Sequence, residues 1–284
     1  MANLKGSSHS KNLRDLNFKL FALGEKKGND NLSHSSAIVE KRNMYMRDFI
    51  KHLDGAEGKL NLLLTEENLN SFLEQRLNGL ALSTQENYLS GFNSLISAMS
   101  AKNITHGVSK DYFKNKFSEI KQTAPNHTSN ERRGLPSNTV LNELKEIRYE
   151  SYVIGTIMLE HGYRISEVLR IVSAPHEYII PLSNGDYKIS GVVGKGGKIY
   201  LEKILTHSTM RLINNINEIP SKSSFHRDLK LVSENLRAHD FRYEYSRNLY
   251  NDNVSKVGDK KALEIVSKAL NHNRLEISKL YVYS

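Results

Sequence analysis

Four short segments, met in a fixed order, constrain this chain more than anything else in it. The first is His161-Gly162-Tyr163-Arg164-Ile165-Ser166-Glu167. Gly194-Lys195-Gly196-Gly197-Lys198 follows, between two strand-like runs. Then come Ala238-His239-Asp240-Phe241-Arg242 and Leu270-Asn271-His272, with Tyr281 nine residues beyond the last histidine. Among their residues are the arginines Arg164 and Arg242, the hairpin lysine Lys195, the histidines His239 and His272 and the tyrosine Tyr281. Guanidinium groups hold the non-bridging oxygens of a phosphate bidentately. A phenol can attack phosphorus covalently, and lysine and histidine can move protons. The set suits the breaking of a phosphodiester bond without a metal.

This constellation resembles the tyrosine recombinase (phage integrase) family. The family's first box reads roughly T-G-L-R-I-S-E, matched by His161 to Glu167. Its hairpin box, G-K-G-x-K, is matched by Gly194 to Lys198, and its H-x-L-R box by His239 to Arg242. Its last box, L-G-H with a tyrosine nine residues on, is matched by Leu270 to His272 and Tyr281. The resemblance covers the C-terminal half closely and residues 35 to 124 more loosely.

Size and composition set the frame. A chain of 284 residues allows one or two domains. With 40 Lys+Arg against 31 Asp+Glu the formal charge is +9 and the pI about 9.4. A balance this basic suits a protein that meets polyanions. Cysteine is absent, which excludes disulfides and thiolate metal sites. No apolar run approaches membrane-spanning length, and the segment MANLKGSSHSKNLRDLN has no apolar signal core. A cytoplasmic protein is expected, without a membrane partner.

The chain reads as four stretches. Residues 1–34 are basic and polar, around one apolar cluster of Leu16, Phe18, Leu20, Phe21 and Leu23. That stretch is either a short helix or a tail. Residues 35–122 carry helical periodicity. One stripe is Val39, Met46, Phe49, Ile50 and Leu53, and another is Leu69, Phe72, Leu73, Leu77 and Leu80, entered by Thr65. Ser83-Thr84-Gln85-Glu86 reads as a capping box for a helix burying Tyr88, Phe92, Leu95, Ile96 and Met99. Ser109 is the expected cap of a fourth helix. Residues 123–137 read as a linker, with Arg132 and Arg133 as candidate DNA contacts. Residues 138–284 mix helices with strands expected at 177–182, 187–193 and 199–204, around the hairpin signal Asn184-Gly185. Residues 251–261, polar throughout, read as an enlarged loop. The expected fold is mainly α with a small antiparallel β-sheet. The resemblance implies a helical core-binding domain followed by an α+β catalytic domain.

The resemblance also assigns roles. Arg164 and Arg242 form a phosphate clamp that strengthens as a phosphorane gains charge. For a lone arginine the plainer reading would be an ion pair with a neighbour such as Glu167. His239 and Arg242, three residues apart, share one helix face, so His239 can assist proton transfer or donate to a non-bridging oxygen. His272 is a further donor. Asn271 stands where the family has glycine, and asparagine tolerates left-handed backbone angles. Lys195 matches the hairpin lysine that protonates the leaving 5′ oxygen, with Lys198 as its competitor and a candidate DNA contact. Tyr281 is the nucleophile, giving a 3′-phosphotyrosine and a free 5′ hydroxyl. Neither cofactor nor metal is implied. The implied partners are double-stranded DNA, further copies of the chain in a tetramer on synapsed duplexes, and accessory DNA-bending proteins. The implied function is site-specific recombination or integration in a mobile element. The alternatives are a telomere resolvase, a type IB topoisomerase-like enzyme, or a DNA-binding relative that has lost cleavage.

Overall fold

A computed structural model describes residues 8–23, 25, 32–53, 55–123, 136–195, 197–272 and 274–283. Arg132 and Arg133 fall outside the described residues. The chain divides into two compact units, Met1–Thr128 and Ser129–Ser284.

The first unit is helical: α1 (Ser8–Leu20), α2 (Ser36–His52), α3 (Leu60–Leu63), α4 (Glu66–Phe72), α5 (Leu82–Ala101) and α6 (Tyr112–Thr123). One helix starts where the sequence predicts, behind Thr65, and another is capped by Ser35. The Ser35 hydroxyl accepts from the Ile38 N–H, and the Thr65 hydroxyl from the Asn68 N–H. Each satisfies a donor that a first turn leaves orphaned. The apolar stripes meet in one core, where Phe49, Phe72 and Phe92 pack edge to face at 5.5 to 5.8 Å between centroids. That geometry adds to simple area burial. Leu13, Leu16 and Leu20 of α1 belong to the same core.

Three local expectations fail here. The Ser83–Glu86 capping box does not cap, because α5 already begins at Leu82 behind Ala81. Gln85 instead donates to the Leu80 carbonyl, and the Ser83 carbonyl accepts from Asn87 within the helix. Leu80 leaves its stripe because the helix, widened into a π turn over Leu73–Leu77, ends at Leu77, and Gly79 at φ 80° turns the chain away. Ser109 does not cap α6; its N–H donates to Glu66 Oε1, and the helix opens at Tyr112.

The second unit contains α7 (Asn138–Ile147), α8 (Tyr149–His161), α9 (Ile165–Ser173) and α10 (Pro175–Tyr178). A sheet follows, built from β1 (Ile179–Pro181), β2 (Tyr187–Ile189) and β3 (Lys203–Leu205). The unit ends with α11 (His207–Asn214), α12 (Lys222–Val232), α13 (Ala238–Val257), α14 (Asp259–Ala269) and α15 (Leu275–Tyr283). Helix α8 is apolar on nearly every side and runs through the centre, with Val153, Ile154 and Ile157 fully buried. Helices α7, α9, α11 and α13 pack around it. Full burial of each such side chain stabilises by about 1.5–3 kcal/mol.

The sheet is antiparallel in the order β1-β2-β3, with Ile179 opposite Ile189 and Tyr187 opposite Leu205. Its strands are shorter than expected. Pro175 starts a helical turn over residues that read as strand. Gly191, at φ 73°, interrupts the ladder after Ile189. The third strand therefore starts at Lys203, and only a single bridge, Val193 to Ile199, precedes it. The enlarged loop at residues 251–261 is not a loop. Helix α13 runs on to Val257 and α14 begins at Asp259, with Gly258 at φ 80° as the break. Polar residues on an exposed face do not stop a helix, whereas glycine does. Among the described residues no helix is long and apolar enough to cross a membrane.

Candidate active site

Helix α8 ends in a left-handed residue, Gly162, at φ 66°. A Cβ there would lie 2.2 Å from Tyr245 Cδ1, so both the backbone angle and the packing require glycine. Two residues on, Arg164 caps α9. The buried Glu167 carboxylate takes the Arg164 N–H at 2.7 Å through Oε2 and the Arg164 Nη1 at 3.0 Å through Oε1. One acid thus fixes both the backbone and the side chain of the arginine, at a helix start where negative charge is favoured. Helix α13 starts the same way: Asp240 accepts the Arg237 N–H at 2.7 Å. The Glu167 and Asp240 positions of the two motifs are explained by these starts.

The two arginines meet on one phenol. The Tyr200 hydroxyl accepts from Arg164 Nη1 at 2.9 Å and from Arg242 Nη1 at 3.1 Å, and donates to Glu167 Oε2 at 2.9 Å. Burial, and then Glu167, push the Tyr200 phenol up, so it stays protonated as this pattern requires. Nothing in the sequence singled out Tyr200, which lies outside the four motifs.

Arg242 is fully buried. Its Nη1 also donates to the Gly162 carbonyl, and its Nη2 donates to the Leu270 carbonyl at 2.5 Å and to His272 Nε2 at 3.3 Å. Only its Nε is without a partner. Arg164 is half exposed and lines an open cleft of about 210 Å³ together with Ser166, Lys222, His226 and His239. The expected pair of arginines is therefore brought together, but Arg164 faces the cleft while Arg242 lies behind it. Lys222 and His226 of α12 are cleft residues that sequence reasoning missed, because no motif covers them.

Tyr281, on α15, packs against α13 and α14 of the same chain. Its hydroxyl lies 2.6 Å from His239 Nε2. Tyr243 stacks on its ring at 4.4 Å and 18°, and the Arg242 guanidinium lies 5.6 Å from its centroid. His272 borders the ring at 4.9 Å. Asn271 holds φ 58°, the left-handed angle expected of it, and its amide donates to the Lys198 carbonyl at 3.1 Å. Burial, and then the charges of Arg242, Arg164 and His239, push His272 down to about 4. His272 is thus neutral near pH 7. Arginine can only donate, so Nε2 is the acceptor and the proton sits on Nδ1, 3.4 Å from Ser278 Oγ. Tyr283 lies in a separate network, with its hydroxyl on Asp259 Oδ1 at 2.5 Å and Tyr250 at 3.2 Å.

Lys195 and Lys198 are both exposed on the glycine turn, which is closed by the Gly194 N–H donating to the Lys198 carbonyl at 2.6 Å. A Cβ on Gly194 would meet the Tyr200 ring at 2.8 Å and lie 3.4 Å from Glu167 Oε1, so the turn leans on the arginine network. Its neighbour Lys195 is attached beside the site, with its ammonium in solvent. Among the described residues no group of three or more His, Asp or Glu side chains stands together as a metal-binding set.

No family model matches the sequence, and no curated protein does. Among solved structures the chain is similar to the Tn1549 transposon integrase, determined in complex with circular intermediate DNA. That similarity covers 87% of this chain and 89% of the other, at 14% identity and a TM-score of 0.54. The XerA recombinase aligns over 96% of this chain and 92% of the other at 12% identity, with a TM-score of 0.35, too low to carry an argument. At such identity the likeness is one of architecture: the chain has the fold of the tyrosine recombinases.

Proposed function

We propose that the chain cuts and rejoins DNA at specific sites through a covalent tyrosine intermediate, as a recombinase or integrase. The observation that carries this reading is the 2.6 Å contact between the Tyr281 hydroxyl and His239 Nε2, beside the arginines. A phenol with an ordinary pKa of about 10 needs a base and nearby cations to attack phosphorus. His239 is positioned to take its proton. Arg164 receives the scissile phosphate from the cleft through its Nη2 and Nε. Arg242 joins by exchanging its longest hydrogen bond, to His272 Nε2, for a non-bridging oxygen. The phosphorane's extra charge then falls between two preorganised guanidinium groups. The bond from phosphorus to the 5′ oxygen breaks as the bond to Tyr281 forms. Lys195 gives its proton to the leaving oxygen, and a 5′ hydroxyl of a partner duplex reverses the step. The residues present call for neither a metal nor a cofactor.

The first unit offers a surface for the same partner. A cleft between α2 and α5 is lined by Lys41, Arg42, Asn87, Ser90 and Ser94. Arg42 is buried and donates to Ser94 Oγ at 3.0 Å beneath this cleft, and Lys41 at its rim is the cation a phosphate would meet. The two units, Arg132, Arg133 and Lys198 would share the DNA backbone, and copies of the chain would assemble as a tetramer on two duplexes.

The test is a duplex nicked near a selected binding site, which traps a cleaved strand. Wild-type protein should form an adduct that survives denaturation, in EDTA. Tyr281→Phe should bind the DNA and form none. An adduct persisting in Tyr281→Phe, and lost in Tyr283→Phe, would overturn the assignment.

A further inference from the structure

We propose that Lys203 is a positioning residue for this site: its side chain braces the C-terminal ends of α8 and α14, and so holds Arg164 and His272 in register with Arg242. The inference rests on the reading of Arg164, Arg242 and His272 given above.

Lys203 Nζ donates to the His161 carbonyl and, at 2.9 Å, to the Ala269 carbonyl. Arg242 donates to the next carbonyl on each helix, Gly162 and Leu270. Two cations therefore bind two pairs of consecutive carbonyls. The last carbonyls of a helix have no partner within it and carry partial negative charge. Here those orphan groups, from helices more than a hundred residues apart in sequence, are satisfied by the same two side chains. Each braced end leads at once into the site. Arg164 follows Gly162 by two residues, and His272 follows Leu270 by two.

The surroundings of Nζ fit a brace and not a reagent. Three rings enclose it, Tyr163 and Tyr245 each at 4.8 Å and Tyr200 at 5.6 Å to the centroid. Such faces stabilise a cation while keeping water and substrate away. Its charged neighbours are Arg242, which opposes its charge, and Glu167, which favours it. Burial foremost pushes the ammonium down to about 7, and an amine that has lost a proton still has two N–H groups for two carbonyls. Lys203 opens β3, opposite Ile189, so the ribbon that presents Lys195 also carries the brace. Sequence reading passed over Lys203 because it lies outside the G-K-G-x-K box.

Lys203→Met keeps the length of the side chain and removes both donors. In DNA-free protein, hydrogen exchange at residues 162–166 and 270–272 should rise about tenfold or more, with the first unit unchanged, as local opening becomes easier. On the nicked duplex, covalent attachment should slow about 10–10²-fold at saturating DNA, the scale for misplaced groups, with affinity held within about twofold. Replacing the bridging 5′ oxygen with sulfur should not restore the rate, because the leaving group is not what suffers. Lys203→Arg, which keeps donors and charge, should recover most of it. Should Lys203→Met not fold, Lys203→Gln goes through the same measurements. Unchanged exchange at both helix ends would overturn the brace whether or not the protein cuts DNA. A wild-type rate of attachment, or rescue by sulfur, would overturn the positioning role. A wild-type protein that forms no Tyr281 adduct would sink the enzymatic reading instead, and leave the exchange result to judge the brace.

Discussion

Tyr281 and His239 come within 2.6 Å of each other, phenol oxygen to Nε2, although 42 residues separate them in the chain. A contact this short, between a weak acid and a ring nitrogen, is a proton path already in place. His239→Gln should slow covalent attachment by about 10²–10⁴-fold, the usual contribution of a positioned base. Its rate should also climb as pH rises, because hydroxide can then take the proton that the histidine no longer takes. Single-turnover kinetics across pH would check both. A variant with the wild-type rate and pH profile would remove His239 from proton transfer.

Tyr200→Phe deletes one oxygen and leaves three groups short of a partner: Arg164, Arg242 and Glu167. An unsatisfied buried polar group costs about 1–3 kcal/mol. The expected outcome is a clear loss of stability in urea unfolding and a cleavage rate lowered about 10-fold or more. Full stability and activity would mean that the phenol does not join the arginines.

The two arginines should fail differently. Arg164→Ala should slow cleavage about 10²–10³-fold, the cost of one transition-state donor. Arg242→Ala should be as slow and should also unfold more readily, since it leaves the buried Gly162 and Leu270 carbonyls without a donor, at about 1–3 kcal/mol for each unsatisfied group. Melting curves beside cleavage rates separate the cases. Equal melting temperatures would contradict the burial of Arg242.

Acid should destabilise the second unit. His161 is pushed down to about 4 by burial and then by Lys203, and His272 to about 4 by burial and then by the arginines. Glu160 lies 3.6 Å from His161, but a neutral ring makes no ion pair with it. Both histidines bind fewer protons folded than unfolded between about 4 and 6.5. The histidines' contribution to stability is therefore complete above about 6.5 and falls as pH drops through that window. A tenfold loss of proton affinity on folding is worth about 1.4 kcal/mol, and less for the half-buried His272. Lys203, at about 7 against its ordinary 10.5, extends the same trend upward, with stability still rising above pH 7. Urea midpoints from pH 4.5 to 9 would show it, and His161→Gln should flatten the acid limb.

What the sequence revealed and what it hid divide along physical lines. Arg164, His239, Arg242, His272 and Tyr281 were legible because motif order survives in a linear string, and they do converge. So was the helix start at Thr65, which depends on three or four neighbouring residues. Tyr200, Lys203 and Lys222 were not legible, since each gains its role only from groups brought in by distant elements. The loop expected at residues 251–261 failed because polarity marks exposure, and an exposed face can be helical. The capping box at Ser83 failed because the helix had already begun one residue earlier. Arg242 does meet the other candidate residues, but its full burial depended on two helix ends that no local pattern reveals.

The helix carrying Tyr281 is folded onto α13 and α14 of its own chain. On the reading proposed above, Tyr281 therefore acts beside His239 and Arg242 of its own chain. If one population of molecules carries Tyr281→Phe and another Arg164→Ala, mixing them pairs two defects without making a whole. Genetic complementation between such alleles should fail, and any restraint on premature cutting must act on an already complete machine.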